Sequence, residues 1–420
     1  MARLPGSLET INLSGTRKGS NKSGAGGVQH AMNSRTRNAV AVFLFLVIAN
    51  LNAAEDKRVT LLRTPDSGIQ PQAAVDAQGT VHLIYYKGDS GAGDIFYVQQ
   101  SAPAAEFSKP VQVNSQRGSA IAAGSIRGAQ LAAGKNGRVH VVWNGGKGAT
   151  KVNVGGQDVT PLLYTRLNGA GTAFEPERNI LTDTAGLDGG SSVAADSQGN
   201  VYVTWHGSAP DNRDKEAGRA VFVARSTDEG KTFQREKPAV TRKTGACGCC
   251  GMRAFADSQG AVYILYRAAT DMMERGETLL VSRQPGADFE VAYSHPWKAM
   301  TCPMSSATLT ESKSGVLAAW ETGDNVFFAS IDPKTMQVSR PVSPLAGLKR
   351  KHPVAVANAK GETLFVWTEG TGWAKGGSIA WQVFDKEGNA VGEKSRAPGL
   401  PVWGLPTAFA KADGGFAIIY

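Results

Sequence analysis

The residues of this 420-residue chain best suited to chemistry are its four cysteines, Cys247, Cys249, Cys250 and Cys302. Five of the eight methionines crowd the same stretch: Met252, Met272, Met273, Met300 and Met304. Thiolate and thioether sulfurs form a soft donor set that suits Cu(I). Zinc fits less well, because the two tight cysteine pairs of a zinc ribbon are missing. The competing chemistry is disulfide formation, in which Cys302 bonded to the first segment would staple two parts of the chain. No Cys-x-x-Cys-His run occurs, which excludes an attached c-type haem. Copper and disulfide both remain open on the sequence. Elsewhere, His206, His352, Trp297, Trp373 and Trp403 fall at strand ends or in loops, where an imidazole or an indole face could meet a ligand. His82 and His140 share one repeat position and read as packing.

The elements that position these groups are announced by a repeat. Gly79, Gly137, Gly199, Gly260, Gly315, Gly361 and Gly414 are each followed by an apolar run ending in an aromatic: Tyr85, Trp143, Trp205, Tyr266, Trp320, Trp367 and Tyr420. The spacing is six residues, except for the five that separate Gly315 from Trp320. Within a unit the alternation has period two, as in Val201, Val203 and Trp205, which is strand periodicity. Segments such as Asp196-Ser-Gln-Gly199 carry hairpin-turn chemistry. Further apolar runs supply a third and a weaker fourth strand, so each unit reads as a four-stranded sheet. Such a unit cannot bury its own faces and must stack on its neighbours. The expected fold is an all-β propeller. Seven hairpins favour seven blades, with six as the alternative, and the segment 58–64 is placed to close the ring against the C-terminal hairpin. Counting back thirteen residues from Gly260 and Gly315 lands on Cys247 and Cys302, which puts the cysteines on neighbouring blades at one rim of the channel.

The N-terminus reads differently. Residues 1–31 are rich in Gly, Ser and Lys and form an expected extension. Met32 then opens two arginines, an apolar run from Ala39 to Ala49 and small residues up to Ala54, the order of a secretory signal peptide over residues 32–54. The run is shorter than the ~20 residues a membrane span needs. The expected arrangement is a single propeller domain over residues 55–420, periplasmic or secreted, with no membrane span after signal cleavage. Removing residues 1–54 takes away six basic residues and one acid, so the net charge falls from +9 to +4. The remaining basic cluster, Lys349-Arg350-Lys351, is too short for a phosphate-tracking stripe, and nucleic acid is not an expected partner.

One turn carries a family resemblance. Ser226-x-Asp228-x-Gly230-x-Thr232-Phe233 resembles the Asp box of sialidase-type (BNR-repeat) propellers, a structural turn found in hydrolases and binding proteins alike. Over its mature length the chain resembles the sialidase (neuraminidase) superfamily, and within it the exported sialidase-like proteins that carry a Cys-x-Cys-Cys segment. That resemblance implies three arginines gripping a substrate carboxylate, a Tyr–Glu nucleophile and an acid/base Asp. The arginines nearest to the expected places are Arg63, Arg127 and Arg253. Leu62-Arg63-Thr64-Pro65 lacks the aromatic and the Ile of the family's first arginine segment, and no Tyr–Glu pair is assignable. The first expectation is therefore a propeller that binds a small molecule, a glycan or a periplasmic or extracellular protein at its channel rim, through Arg253, His206, His352 and Trp403. A sialidase-type glycoside hydrolase and a copper-binding protein using Cys247, Cys249, Cys250, Cys302, Met252 and Met304 are the alternatives.

Overall fold

The computed structural model describes residues 58–101, 106–186, 189–270, 274–299, 303–345, 347 and 349–420. The expected extension and signal segment, together with Met272, Met273, Met300 and Cys302, lie outside the described residues. Everything described belongs to one unit, Asn52–Tyr420.

Seven sheets repeat in chain order and form a seven-bladed β-propeller. Blade one runs Ile69–Val75, Val81–Asp89, Ala92–Gln100 and Val111–Gln112, each strand antiparallel to the one before it. The inner strands of the next blades are Gln130–Ala133, Ser191–Ala195, Arg253–Ala256, Thr308–Ser312, Arg350–Ala357 and Thr407–Ala410. The fourth strand of blade five is reduced to two isolated bridges, Phe328 to Val342 and Ile331 to Val338. Blade seven is completed from the other end of the chain, where Val59–Leu62 lies parallel to Phe416–Ile419. That pairing covers an open sheet edge at each terminus.

The repeat explains itself physically. In four blades one side chain (Asp76, Asp196, Asp257 or Asn358) accepts the backbone N–H groups two and four residues later. The following glycine takes a positive φ, as Gly199 does at 98°, where a side chain would be strained. Blade five departs by one residue because its turn is tighter: Ser312 pairs directly with Gly315. The aromatics that end the second strands are buried, and Trp143, Trp205, Trp320 and Trp367 are the largest fully buried side chains. They fill the space between blades, where truncating one would cost about 3–5 kcal/mol. The Ser226–Phe233 turn is held by Asp228, which accepts from Ser226 Oγ, Thr232 N and Thr232 Oγ1, while Phe233 packs edge-on against Tyr164 of the preceding blade.

A polar ring crosses the inner strands. Gln72, Gln130, Ser192, Arg253, Thr308, Val354 and Thr407 each pair with the residue just before the repeat aromatic, so they occupy one level of the seven blades. Several stitch blade to blade: Ser192 Oγ accepts the Ala254 N–H at 2.9 Å, Thr407 Oγ1 accepts the Ala73 N–H at 3.2 Å, and Thr308 Oγ1 donates to Pro353 O at 3.2 Å. Ser192→Ala leaves a buried N–H unpaired and is expected to lower unfolding free energy by about 1–3 kcal/mol, read as a fall in the denaturant midpoint.

Candidate functional site

The inner strands begin at one face of the propeller, and the chemistry-bearing residues collect there. Below that mouth the channel encloses about 610 Å³ and is walled largely by alanines, including Ala74, Ala132, Ala194 and Ala256. Arg253 opens the inner strand of blade four and reaches across the bore. It donates to Gln72 Oε1 of blade one at 3.1 Å and to Gln130 Oε1 of blade two. No carboxylate pairs with it among the described residues, and its Nε has no partner. Burial lowers its pKa to about 10, so it remains a cation at neutral pH. A desolvated guanidinium held only by neutral carbonyl oxygens has the capacity for a carboxylate.

The other predicted arginines lie elsewhere. Arg63 is exposed, lies over the Tyr420 ring and donates to Gly399 O and Pro398 O, on the outer strand of blade six. Arg127 is half-buried in the loop leading to Gln130–Ala133. Every tyrosine whose pKa is shifted, including Tyr85 beside Asp66 and Tyr263 beside Asp257, is pushed up, with burial the first cause. An activated tyrosine nucleophile would be shifted down.

His352, Trp403 and Met304 line one small cavity at the mouth, with Lys351, Lys375 and Gly124. Trp403 stacks edge-on with the exposed Trp373, their centroids 4.8 Å apart. The backbone here is strained. Gln70, Ser125, Met304, His352 and Trp403 all have φ between 47° and 63°, a region non-glycine residues seldom enter. Two of these sites share a cause. Gln70 and His352 each precede a proline, Pro71 and Pro353, inside an inner strand, and each strand bulges there. Gln70 Nε2 then ties the mouth together by donating to Ala122 O and Trp403 O.

His206 and His352 are strand residues in the structure, not loop residues, and both are buried. Ser306 N and Oγ approach His352 Nδ1, whereas neither nitrogen of His206 has a partner among the described residues. Trp297 likewise lies in the strand Glu290–Lys298, with the Arg267 guanidinium 5.2 Å from its ring centre.

The cysteine loop leads directly into Arg253. Cys247, Cys249 and Cys250 have their sulfurs within 4.8 Å of one another. Cys249 is disulfide-bonded, whereas Cys247 and Cys250 are buried free thiols. With one sulfur committed, two thiols are left for a soft metal, fewer than a structural zinc site uses. Met252 is packed in the interblade core with the Thr204 hydroxyl 3.5 Å from its sulfur, and Met304 belongs to the His352 cavity. Glu216 Oε1 accepts the Gly248 N–H at 2.7 Å, and the Arg219 guanidinium lies so close to Gly248 that a Cβ there would clash.

Beneath this loop is a buried charge group that sequence reasoning missed. Arg267 bonds Glu277 at 3.2 Å and Glu321 of the next blade at 3.0 Å. Burial, which outweighs Arg267, lifts Glu277 to about 7. A sequence signal exists for two of the three, Arg267 and Glu321: with Asn144, His206 and Thr368 they directly follow a repeat aromatic, and all are buried polar groups.

No known family model matches the sequence, and no curated protein matches it. Several solved structures resemble its fold. A protein of unknown function from Dyadobacter fermentans DSM 18053 shares 17% identity over 67% of this chain and 86% of that one, with a TM-score of 0.45. The Hadza microbial sialidase Hz136 shares 14% over 76% and 69%, with a TM-score of 0.49. A PL25 ulvan lyase shares 11% over 78% and 81%, with a TM-score of 0.45.

The buried histidines set an acid limit. Burial lowers the pKa of His140, His206 and His352 from 6.5 to about 3. The unfolded chain takes up protons near pH 6.5 while the folded one does not, so their contribution is complete above that pH and is lost as pH falls toward 3. Stability measured by denaturant midpoint is expected to decline through this window. His206→Leu, which removes an unpartnered imidazole, is expected to flatten part of the decline.

Proposed function

We propose that this chain is an exported, sialidase-like propeller that binds an anionic glycan or a comparable carboxylated small molecule at its channel mouth, without hydrolysing it. The observation that carries this reading is Arg253, a buried cation inside the bore with no carboxylate partner among the described residues. Lys351 and Lys375 add positive charge at the mouth, and the Trp373–Trp403 pair offers an indole face beside it. Sugars commonly present an apolar ring face and, when acidic, a carboxylate; the indoles at the mouth suit the first and the guanidinium in the bore suits the second. The upward-shifted tyrosines and the outward position of Arg63 weigh against a hydrolase. The export reading rests on the order of charged, apolar and small residues over 32–54.

Isothermal titration with N-acetylneuraminic acid, glucuronic acid and galactose tests the binding claim. The acidic sugars are expected to bind and galactose not to. Arg253→Gln is expected to weaken binding about tenfold or more, with Arg253→Lys retaining part of the affinity. Equal binding of galactose, or an unchanged affinity in Arg253→Gln, would overturn the proposal. Release of sugar from an aryl sialoside would replace binding by hydrolysis. When residues 32–420 are expressed in a bacterial host, the periplasmic product is expected to begin after Ala54 by intact mass.

A further inference from the structure

Below Arg253 the channel changes character along its length. In blade four, Arg253 is followed by Ala254, Phe255 and Ala256 and then by Asp257; blades one and three repeat this order from Gln72 to Asp76 and from Ser192 to Asp196. The bore thus passes from the level of Arg253, along an apolar wall, to a rim that carries carboxylates. At about 3.3 Å per residue, the four steps from Arg253 to Asp257 cover roughly 13 Å. We propose that the bore is a binding site for an unbranched aliphatic carboxylate, whose head meets Arg253 and whose tail lies along the apolar wall toward Asp257.

The head group has a ready partner. The Arg253 guanidinium bonds only the side-chain carbonyl oxygens of Gln72 and Gln130 among the described residues, and its buried Nε has no partner. A carboxylate there gains charge and paired donors together. Mouth and bore share Arg253 as their anion anchor, so this site rests on that role and on nothing else in the glycan reading.

The wall suits a tail. Alanine side chains leave open the space that longer ones would fill, and the cavity of about 610 Å³ has the size of a small-molecule site. Val75 lines it while 45% exposed, and Ala74, Ala132 and Phe255 are half-buried there. Covering such apolar surface is favourable. The free edges of inner strands would set bare backbone groups against a tail. Several of these groups are capped from a neighbouring blade: Ala254 N–H by Ser192, Ala73 N–H by Thr407, Pro353 O by Thr308 and Ala355 O by Thr310.

The far rim sets the direction. Asp76, Asp196 and Asp257 are fixed there by accepting turn N–H groups, and Glu311 by accepting the Ser258 N–H. An anion carried to that end meets like charge, whereas at Arg253 it meets a cation. One carboxylate is therefore accepted, and a second at the other end of the chain is refused.

The test is isothermal titration of the folded protein at neutral pH with sodium butanoate, hexanoate, octanoate and octanedioate, and with octanol. Affinity is expected to rise about fourfold per added methylene. Octanol and octanedioate are expected to bind at least about tenfold more weakly than octanoate. Arg253→Gln is expected to weaken octanoate about tenfold or more while keeping the gain per methylene. Val75→Trp, at a partly exposed position near the far rim, is expected to remove the gain from hexanoate to octanoate. Equal affinities for butanoate and octanoate overturn the proposal, as does octanedioate binding as tightly as octanoate. Either result alongside acidic-sugar binding that depends on Arg253 removes the bore site and leaves the mouth reading standing; length-dependent octanoate binding without sugar binding does the reverse. Circular dichroism identifies variants that fail to fold, and the chain-length series in the unmodified protein decides the matter without them.

Discussion

Each sheet of this protein is apolar on both faces, and only a neighbouring sheet on either side can cover them. The ring must therefore close, and every other feature depends on that closure. Val59–Leu62 completes the last blade by pairing with Phe416–Ile419, and the core of blade six reaches into the same joint through Val59, Phe416 and Ile418. Arg58 reinforces the joint by bonding Glu362 and Val391 O of blade six. The closure is made by chain segments more than three hundred residues apart.

Closure also creates the site. The inner-strand level that pairs with the residue before each repeat aromatic is polar in six of its seven positions, and its hydroxyls bind backbone groups of adjacent inner strands. Arg253 occupies that level in blade four but crosses to blades one and two instead of bonding its neighbour. The same geometry strains the mouth. Prolines 71 and 353 cannot serve as ladder donors, so the inner strands bulge, and Gln70 and His352 are held at positive φ. That strain is sustained by bonds from Gln70 to Ala122 and Trp403 and from His352 to Ser305 and Ser306.

The cysteine loop and Arg253 are neighbours in sequence but differ in electrostatics. Arg253 has no counter-ion among the described residues, whereas Arg267 is shared by two buried carboxylates and the Cys250 sulfur. A buried cation already compensated holds its surroundings in place, while an uncompensated one is available to an incoming anion. The same residue type therefore stands in blade four in opposite states of pairing.

Repeat spacing, turn chemistry and the period-two alternation determined the propeller, the seven hairpins and the strand at residues 58–64 that closes the ring, because these are local properties repeated until they fix a global form. The register of Cys247 likewise set the cysteine loop just ahead of the inner strand that Arg253 opens. What tertiary structure decided was pairing. Sequence could not show that Arg253 spans the bore to Gln72 and Gln130, that Arg63 turns outward onto Tyr420, or that Arg267, Glu277 and Glu321 meet beneath the cysteines. Nor could it divide the three loop sulfurs into one bonded and two free. Each of these depends on which side chains from distant blades come within bonding distance, and that is settled only when the ring has closed and excluded water from between them.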